Sequence, residues 1–598
     1  LRADALSCYG GPAGASPAID AFAQNALVFE HAFAAAPWTK PSVPSLFTGL
    51  PPSRHGVFEG SSRDVEGRIT SDVLSPQALT LAEVMRDAGY GTAAFVQNAQ
   101  LKPFLGFDQG FDVYREGVGD GARIHAEFLE WFDAQRALDS AKPLFAYLHV
   151  LDVHEPYMPP ADALAHFPAA PDAPRLDRQA QKDLADAVDA KTHRVTPQET
   201  AELRRLYQAC VRGYDAKFGA LVDALRARGA WDDALVVFTS DHGEEFGEYG
   251  ELGHGHSLRD SLLRVPLVVK APGRSNTTPR RIERSASSLD VLPTLAERVG
   301  AHGLPGLSGL PGRDLLSGAG DTPIVAEMVH GPEYTRALRS PGWKVVESFR
   351  AAKSNLVKAP MEPRKLLAEG MRIELKVKGE RADLEASRVT LEVGTDDDIE
   401  VRGAIRDLDV AAGTFKIGPF SIERAPETSL PDGVRVGDVL DVDGMVIDAG
   451  RLRAHKIQPR TDKAGSRSIK IEGPIEKVFD HGDEVGIAGV RVEIDGDATW
   501  EGFEVAGQLA GGRLDRKQLV NSVLFDPSRF TRTVDVFDLG ADPLEKAPST
   551  NLHEGMLGKL EAAIRVHLGT VAGLGSGTFA LDAETIQRLE ETGYGAGN

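Results

Sequence analysis

The sequence predicts an α/β fold with a mostly parallel central sheet, together with an inserted all-β region. Up to about residue 350, short β-rich runs alternate with helical stretches, which is the pattern of a parallel sheet covered by helices. The strand segments in this part are apolar throughout, as expected for strands that are buried on both faces. From about residue 358 to about residue 507 the helical periodicity fades, and short β-rich pieces alternate with Gly and Asp turns.

The change of pattern along the chain predicts a host domain that is split by an insertion. Residues after about 530 return to the first pattern, so the host domain continues beyond the β-rich region. Because the entropy of closing a loop grows slowly with loop length, an insertion between neighbouring points of a host is tolerated. The predicted segments are the host at 1–355, the insertion at 356–510, the return to the host at 525–570 and a tail at 571–598.

The individual strands and helices follow from the spacing of apolar residues. The strand candidates are 91–96, 144–150, 234–239 and 265–270. The helix candidates, in which apolar residues recur near a 3.6-residue spacing, are 17–25, 80–88, 122–137, 197–228 and 553–568. In open parallel sheets, ligands bind beyond the carboxyl ends of the strands. The polar residues in such positions, which are the first candidates for a site, are Asn98, His154, Asp241 and His242.

Composition and charge exclude several classes of protein. The 598 residues contain 67 Lys and Arg against 88 Asp and Glu, and 67 − 88 gives a net charge of −21. This balance argues against a nucleic-acid partner that is held by phosphate contacts. The two cysteines, Cys8 and Cys210, cannot form a disulfide framework or a thiolate zinc site by themselves. No apolar run approaches the ~20 residues that a membrane-spanning helix needs.

An internal similarity within the β-rich region predicts a duplicated small β module. VRGAIRDL from position 401 is similar to IEGPIEKV from position 471, and RADLEASRVTL from 381 is similar to AGRLRAHKIQP from 449. The offsets are nearly equal, since 473 − 403 is 70 and 454 − 386 is 68. Chance similarity between β-rich segments is the alternative. Because VGDVLDVDG precedes RLRAHKI, residues 398–460 resemble the OB-like β modules known as DUF5666.

The segment TSDHGEEFGEYGELGHGHSLRD, residues 239–260, carries a candidate metal site. A buried strand places Asp241 and His242 in a Gly-rich loop, and His254 and His256 follow on a Gly-flanked segment. A carboxylate balances the charge of a divalent ion such as Zn²⁺ or Mn²⁺, and an imidazole supplies a softer donor. The alternative is that the acid and the imidazole cap a loop and that the later histidines lie at the surface.

The segment APWTKPSVPSLFTGLPPSRHGV, residues 36–57, carries a candidate anion site. Thr39 precedes Pro41, and the following residues suit a helix whose N-terminal amides point at the Thr39 hydroxyl and at a bound anion. A threonine hydroxyl is a poor nucleophile at neutral pH and needs a metal ion to lose its proton. Taken in isolation, Thr39 is better explained as a simple helix N-cap.

The segment YLHVLDVHEPYMPP, residues 147–160, carries a third candidate. His154 lies beyond the end of a strand, where its imidazole can donate a proton to a leaving oxygen or bind a charged oxygen of a substrate. His149 lies inside the same strand, and we expect it to be a packed core residue. A purely structural role for His154 is the alternative.

Taken together and in this order, these segments resemble the sulfatase family of the alkaline phosphatase superfamily. LRADALSCYG, LAEVMRDAGYGTAAFVQN, GFDQGFDVY and LLRVPLVV support the resemblance, which reappears at VFDLGADPLEKAPSTNL. The resemblance implies a three-layer sandwich around the central sheet, a divalent metal ion (Ca²⁺, Mn²⁺ or Zn²⁺), and hydrolysis or transfer of a sulfuryl or phosphoryl group. The site residues that it implies are Asp241, His242 and Thr39 as metal ligands, Thr39 and His154 as catalytic residues, and His256, Lys40 and Asn98 as substrate-binding residues.

Two residues depart from the pattern of active sulfatases, which carry Cys or Ser in CxPxR and oxidise it to formylglycine. Thr39 occupies the position of that Cys or Ser, with Pro41 in place, and Val43 stands where the Arg belongs. Threonine cannot yield the aldehyde. With Thr in the position of the nucleophile, the sequence instead resembles the phosphodiesterases and the phosphoethanolamine or glycerophosphate transferases of the same superfamily.

The beginning of the chain departs from the pattern as well. Relatives place a metal-binding Asp at the end of a first strand, just before the segment that corresponds to LRAD, and here the sequence begins at Leu1. We therefore expect upstream sequence to supply a strand that ends in Asp. A membrane anchor, if there is one, would also lie there, and a periplasmic or extracellular location is the hypothesis.

The sequence therefore predicts a metal-dependent hydrolase of sulfate or phosphate esters. The expected partner is a small anionic ester, such as a sulfated or phosphorylated sugar or a lipid headgroup. One alternative is a phosphodiesterase or transferase that uses Thr39. The other is a non-catalytic relative that binds an anionic ligand, which the Val43 and Leu1 departures favour.

Overall fold

The computed structural model describes most of residues 1–350 and part of the chain beyond. Its gaps before residue 350 are 61, 64–68, 118, 274–279, 302–303, 305, 318–321 and 332. Later in the chain it describes the strands between 372 and 501 with some of their turns, residues 531–539, 542, 545–546 and 578–580. The helix predicted at 553–568 lies outside the described residues, as does most of the segment 571–598.

The described residues form two compact units. The first contains residues up to 350 together with the two strands near 531–538 and 578–580, and the second contains the strands between 372 and 501. None of the helices in the part of the chain that the structure describes is long and apolar enough to cross a bilayer.

The helices of the first unit begin at side chains that satisfy their free backbone amides. Thr80 and Thr196 each form a capping box with the Glu three residues later, and Asp120 accepts a hydrogen bond from Arg123 N. The described α-helices are α1 Pro17–Ala23, α2 Thr39–Thr48, α3 Pro52–His55, α4 Leu81–Asp87, α5 Gly121–Leu138, α6 Ala161–Leu164, α7 Arg178–Asp189, α8 Pro197–Ala227, α9 Asp260–Leu263 and α10 Val291–Arg298. The four predicted helices before residue 350 are thus confirmed to within two residues at each end.

The strands are named in chain order. Those of the first unit before residue 351 are β1 Leu27–Phe33, β2 Ser62–Arg63, β3 Ile69–Asp72, β4 Gly91–Val96, β5 Val113–Glu116, β6 Leu144–His149, β7 Val236–Thr239, β8 Glu245–Phe246, β9 Leu252–Gly253, β10 Leu267–Lys270, β11 Arg280–Ser287, β12 Ile324–His330, β13 Glu333–Ser340 and β14 Trp343–Arg350. Those that follow are β15 Arg372–Glu380, β16 Asp383–Leu391, β17 Ile399–Asp409, β18 Thr414–Ile417, β19 Phe420–Arg424, β20 Val439–Asp448, β21 Arg451–Pro459, β22 Ile469–Pro474, β23 Lys477–Phe479, β24 Glu484–Ile487, β25 Val490–Glu501, β26 Thr531–Asp538 and β27 Thr578–Ala580.

The α/β architecture is confirmed, with two central sheets in the described residues rather than one. In the order β5-β4-β6 all strands are parallel, whereas in the order β11-β1-β10-β7 only β1 and β11 are parallel and β10 runs antiparallel to both neighbours. The expectation that every predicted strand is fully buried is wrong for β6 and β7, which are half-buried. The reason is their position, since each lies at the edge of its sheet.

Strands from the far end of the chain complete the first unit. β26 pairs into the sheet β12-β13-β14-β26, and β27 pairs with β3. The buried ammonium of Lys344 donates to Glu545 Oε1 at 2.8 Å and to Asp260 Oδ1 at 3.0 Å, which connects the returning segment to α9. Part of the predicted tail, residues 578–580, is therefore a paired strand.

The second unit is a single sheet in which two hairpins have the same register, 70 residues apart. Its order is β18-β19-β21-β20-β17-β22-β15-β16-β25-β24-β23. Ile417 pairs with Phe420, and Ile487 pairs with Val490, so that 487 − 417 and 490 − 420 both equal 70. These registers share the offset of 70 seen in the sequence, and β17 and β22 pair with each other at the centre of the sheet.

Candidate active site

The site lies where β6, β7 and the start of α2 come together. β7 ends at Thr239 and is followed by Asp241 and His242, while β6 ends at His149 and is followed by His154. The turn after His242 requires glycine, because a Cβ at Gly243 would lie 2.0 Å from the carbonyl oxygen of Ser261. This close approach holds the loop after β7 against the segment that precedes β10.

Thr39 is the first helical residue of α2 and is buried. The helix-cap alternative is therefore wrong, because the cap position belongs to Trp38, whose extended backbone leads into the helix. Thr39 Oγ1 lies 3.3 Å from His242 Nε2 and accepts a hydrogen bond from Asn98 Nδ2 at 3.4 Å. The hydroxyl thus lies against the imidazole that the sequence proposes as a metal ligand.

Asp241 and His242 present two donor atoms to the same space. Asp241 Oδ1 accepts hydrogen bonds from His242 N at 3.1 Å and from Ser240 Oγ at 3.4 Å. Asp241 Oδ2 is buried, lies 3.5 Å from His242 Nε2, and accepts no hydrogen bond from the described residues. His242 Nδ1 donates to Gly243 O at 2.8 Å, which leaves Nε2 with its lone pair.

The charge states of this pair suit cation binding. Burial lowers the pKa of His242 well below its ordinary value, so the imidazole is neutral. Burial alone would raise the pKa of Asp241, but its polar surroundings, which include His242 and His149, hold the pKa below the ordinary value. The pair therefore offers one negative charge and one neutral nitrogen.

The residues present fit a divalent cation. A buried carboxylate oxygen without a hydrogen-bond donor carries a large desolvation penalty unless a positive charge compensates it. Asp241 Oδ2, His242 Nε2 and Thr39 Oγ1 form an oxygen and nitrogen donor set that Zn²⁺, Mn²⁺ or Ca²⁺ accepts. Within the described ranges, no group of three or more His, Cys, Asp and Glu side chains is arranged to hold a metal ion, so the set depends on the threonine oxygen.

A row of imidazoles extends from His242. The ring centroids of His242 and His254 are 4.2 Å apart, and those of His254 and His154 are 5.1 Å apart. His154 Nδ1 donates to Glu155 O at 2.6 Å, and His254 Nδ1 pairs with Glu244 Oε1 at 2.9 Å. Each of the three rings therefore uses its Nδ1 for a contact that fixes the orientation of the ring.

The remaining predicted site residues occupy different environments. Asn98 is buried, and its Oδ1 accepts from Gln100 N at 2.8 Å while its Nδ2 reaches Thr39. The Lys40 side chain is fully buried, with its Nζ 3.4 Å from Gln100 O and 5.0 Å from the centroid of the Phe107 ring. His256 Nε2 lies 2.9 Å from Glu245 Oε2.

Several neighbours of the site were not singled out from the sequence. Glu244 and Glu245 each hold one histidine, and Ser42 Oγ donates to Asp241 O at 2.6 Å. The consecutive acids in DHGEE, followed by HGH, are the signal that could have indicated such pairs. His149, expected to be a core residue, is buried, and its Nδ1 lies 2.9 Å from Tyr147 Oη.

The fold and the site define an α/β protein with a buried hydroxyl, an acid and an imidazole at the strand ends. Residues 1–301 match the family model "Sulfatase", and the chain belongs to the sulfatase family. Curated proteins that match the chain include enzymes named as a choline-sulfatase and an arylsulfatase.

Curated relatives match about half of the chain. A choline-sulfatase from Rhizobium meliloti (strain 1021) is 26% identical over 390 residues, which are 55% of this chain and 73% of the relative. Arylsulfatase A from Homo sapiens is 30% identical over 355 residues, 53% of this chain and 66% of the relative. The uncharacterized sulfatase YidJ from Escherichia coli (strain K12) is 23% identical over 335 residues, 48% of this chain and 64% of the relative, so the chain spans less than two thirds of that protein.

Solved structures are similar to the same part of the chain. The phosphonate monoester hydrolase of Agrobacterium radiobacter has a TM-score of 0.47 and 21% identity, and the match covers 58% of this chain and 85% of that chain. The putative sulfatase yidJ from Bacteroides fragilis has a TM-score of 0.46 and 21% identity, with 58% of this chain and 83% of that chain covered.

Proposed function

We propose that this protein is a metal-dependent ester hydrolase in which Thr39 attacks the sulfur or phosphorus of a small anionic ester. The observation that carries the proposal is the position of Thr39 Oγ1, 3.3 Å from His242 Nε2 and 3.4 Å from Asn98 Nδ2. Asp241, His242 and Thr39 would hold the divalent cation, Ca²⁺, Mn²⁺ or Zn²⁺, which supplies positive charge beside the hydroxyl and the ester oxygens. Asn98 orients the hydroxyl.

The reaction consists of two displacements at the same atom. Thr39 Oγ1 forms a bond to sulfur or phosphorus, its proton passes to solvent, and the bond to the leaving oxygen breaks. A water molecule then attacks the same atom, the bond to Thr39 Oγ1 breaks, and the hydroxyl regains a proton. If an alcohol takes the place of water, the same chemistry gives transfer, as in phosphoethanolamine or glycerophosphate transferases.

His154 is the proposed partner of the leaving group. Its Nδ1 donates to the carbonyl oxygen of Glu155, and burial lowers the pKa of this imidazole, so Nε2 takes up a proton from solvent and passes it to the leaving oxygen. His254 contacts both His154 and His242 and closes the space between them. His256 and Lys40 are proposed to bind oxygens of the substrate.

Phosphoester chemistry suits this site better than sulfate-ester chemistry. Thr39 cannot be converted to the formylglycine aldehyde that active sulfatases use, whereas a threonine oxygen is a suitable nucleophile toward phosphorus. The substrates proposed are phosphorylated or sulfated sugars or lipid headgroups. Relatives of both kinds, a choline-sulfatase and a phosphonate monoester hydrolase, are similar to the chain.

The proposal is tested with 4-nitrophenyl sulfate, 4-nitrophenyl phosphate and bis(4-nitrophenyl) phosphate, each with Ca²⁺, Mn²⁺ or Zn²⁺ and after chelation. We expect metal-dependent cleavage of a phosphate ester, with slower cleavage of the sulfate. Cleavage of the sulfate alone would contradict the phosphoester preference. No turnover of any ester with any of the metals would favour the alternative, a non-catalytic protein that binds an anionic ligand.

We infer that the second unit is a duplicated β module inserted in the sulfatase-like domain. The register offset of 70 between β18-β19 and β24-β25 supports the duplication. The pairing of β26 with the sheet β12-β13-β14 supports the insertion, because the chain returns to the first unit after the β module. The likeness of this module to DUF5666 and the segment boundaries at 356–510 and 525–570 stay predictions.

A further inference from the structure

The short helix α9 holds the loop that follows β7 and carries the proposed metal ligands. Leu262 O accepts a hydrogen bond from Gly243 N at 2.6 Å. Ser261 O accepts one from Glu244 N at 3.0 Å. Gly243 O in turn accepts from His242 Nδ1 at 2.8 Å. Because these backbones are in such close contact, a movement of α9 would shift the carbonyl group that fixes the His242 ring.

A cluster of four charged side chains fixes the beginning of α9. Lys344 Nζ donates to Leu258 O at 2.5 Å and to Asp260 Oδ1 at 3.0 Å. It also donates to Glu545 Oε1 at 2.8 Å and to Glu545 Oε2 at 2.9 Å. Asp260, the first residue of α9, donates its backbone amide to Glu545 Oε2 at 3.4 Å, and its carboxylate pairs with Arg339. Two cations therefore balance two acids at the start of the helix.

Two members of this cluster, Lys344 and Glu545, are almost completely buried. The side chain of Lys344 is 1% exposed, and that of Glu545 is 2% exposed. The backbone of Glu545 has a φ of 53°, in the left-handed region that favours glycine, so its contacts hold it in an unfavourable conformation. A buried charge that loses its partner destabilises its surroundings. Loss of the Glu545 carboxylate is therefore expected to loosen the cluster around Asp260.

Lys344 and Glu545 lie on opposite sides of the second unit in the sequence. Lys344 belongs to β14, before the chain enters the second unit, and Glu545 follows β26, after the chain has returned. The returning chain makes another ionic contact, in which Arg532 Nε donates to Glu347 Oε1 at 2.8 Å. Glu347 also pairs with Arg336, so this contact lies within the sheet β12-β13-β14-β26. The contact of Glu545, in contrast, reaches α9.

We propose that Lys344 and Glu545 are positioning residues. They hold α9 and, through its carbonyl oxygens, keep the loop of Asp241 and His242 in the arrangement that binds the divalent cation. The inference rests on the proposed function, because that function supplies the cation. Both residues act through the backbone of α9 and not by contact with the cation or the substrate. The segment that returns after the second unit thereby contributes to the site.

The test compares Glu545→Ala and Glu545→Gln with the matched control Arg532→Ala, which removes the ionic contact of the returning chain that lies within the sheet. Hydrogen exchange is measured by mass spectrometry on the full-length, metal-free protein, for a peptide that covers residues 241–247. We expect this peptide to exchange about tenfold faster in Glu545→Ala, less so in Glu545→Gln, and at the wild-type rate in Arg532→Ala. Wild-type exchange in α8 shows that each variant is folded. If Glu545→Ala does not fold, the test uses Glu545→Gln, which keeps the shape of the side chain.

Metal affinity separates a positioning role from a merely structural one. Calorimetry with Mn²⁺ should give a Kd about tenfold higher in Glu545→Ala and within about twofold of wild type in Arg532→Ala. Wild-type exchange of the 241–247 peptide in the Glu545 variants overturns the inference, and so does faster exchange with an unchanged Kd. If the wild-type protein binds no Mn²⁺, the proposed function fails, while hydrogen exchange still decides whether Glu545 positions the loop.

Discussion

The two units of this protein treat buried charge in opposite ways. In the first unit, ionisable side chains such as Glu244 and Glu245 are buried near the strand ends, where they pair with His254 and His256. The described core of the second unit is an apolar cluster, whose members include Val401, Leu440 and Ile471. Its charged groups form pairs such as Lys470 with Glu400 at 3.2 Å on partly exposed faces of the sheet.

This difference indicates which of the two units is expected to carry the functional site. Burying an ionisable group lowers the stability of the fold unless hydrogen-bond or charge partners compensate it. Such groups are therefore found mainly where the charge is needed for binding or catalysis. The first unit meets both conditions around Asp241 and His242. In the second unit an apolar core meets only the need for stability. The comparison predicts that substitutions in the first region change activity more than stability, and that the reverse holds in the second.

The largest effect is expected for Thr39→Ala. Loss of the nucleophilic oxygen should lower kcat by at least ~10³-fold, while the unfolding temperature stays near that of wild type. Thr39→Ser should retain part of the activity, because it keeps the oxygen. The matched control is Thr48→Ala at the other end of α2, where the hydroxyl donates to Pro44 O at 2.7 Å. Equal loss of activity in both alanine variants would show that the helix, and not the Thr39 oxygen, is responsible.

The corresponding substitutions in the second unit shorten buried side chains at the centre of its sheet. Val401 and Ile471, which are equivalent if the module is duplicated as proposed, since 471 − 401 is 70, pair directly. Each is fully buried, so Ile471→Ala should lower the free energy of unfolding by about 2–5 kcal/mol, and Val401→Ala by somewhat less. Denaturant unfolding measures both. kcat of the folded protein should be unchanged, and Met445→Ala, at a residue that is 60% exposed, should be nearly neutral.

Metal-dependent stabilisation tests the same comparison at the candidate site of the first unit. A divalent ion at 100 times its Kd should stabilise the wild-type protein by about 2.7 kcal/mol, seen as a higher unfolding temperature. Asp241→Asn should abolish this gain, because the acid that balances the charge is removed. Asp215→Asn is the control: Asp215 is buried and accepts hydrogen bonds from Ile19 N and Ala18 N, away from the metal ligands. It should lower the unfolding temperature equally with and without metal.

The smallest effect concerns a buried acid outside the site. Asp290 accepts hydrogen bonds from Ser287 N and Arg313 N, both at 2.8 Å, and burial raises its pKa to about 6. The folded state therefore binds a proton more tightly than the unfolded chain does, so stability falls as pH rises from about 4 to about 6. The loss is about 2–3 kcal/mol and should be missing in Asp290→Asn. Parallel stability curves for the two proteins over this range would contradict the assignment.

The helices and the converging strand ends were predictable because they depend on local patterns. The period of apolar residues identifies α8, and a capping box with Thr196 marks its start. Asp241 and His242 follow a buried strand, and the rule for strand ends brought them to the site. Their meeting with Thr39, which lies about 200 residues earlier, also depended on the resemblance to a known family.

The glutamate–histidine pairs and the division into two sheets were not predictable in the same way. β8 and β9 contain two residues each, which is too short for a periodic pattern in the sequence. The hairpin that places Glu245 beside His256 could therefore not be predicted. The antiparallel direction of β10 and the strand order of the second unit are set by long-range pairing. An apolar strand sequence does not determine these features, because the same sequence can pair with different strands and in a parallel or an antiparallel direction.

The most direct test of the central claim is a crystal structure of the protein with Mn²⁺ or Zn²⁺, in which anomalous scattering locates the ion. The account predicts one strong peak within about 2.0–2.3 Å of Asp241 Oδ2, His242 Nε2 and Thr39 Oγ1. A peak among His154, His254 and Glu244, with Asp241 Oδ2 uncoordinated, would contradict it.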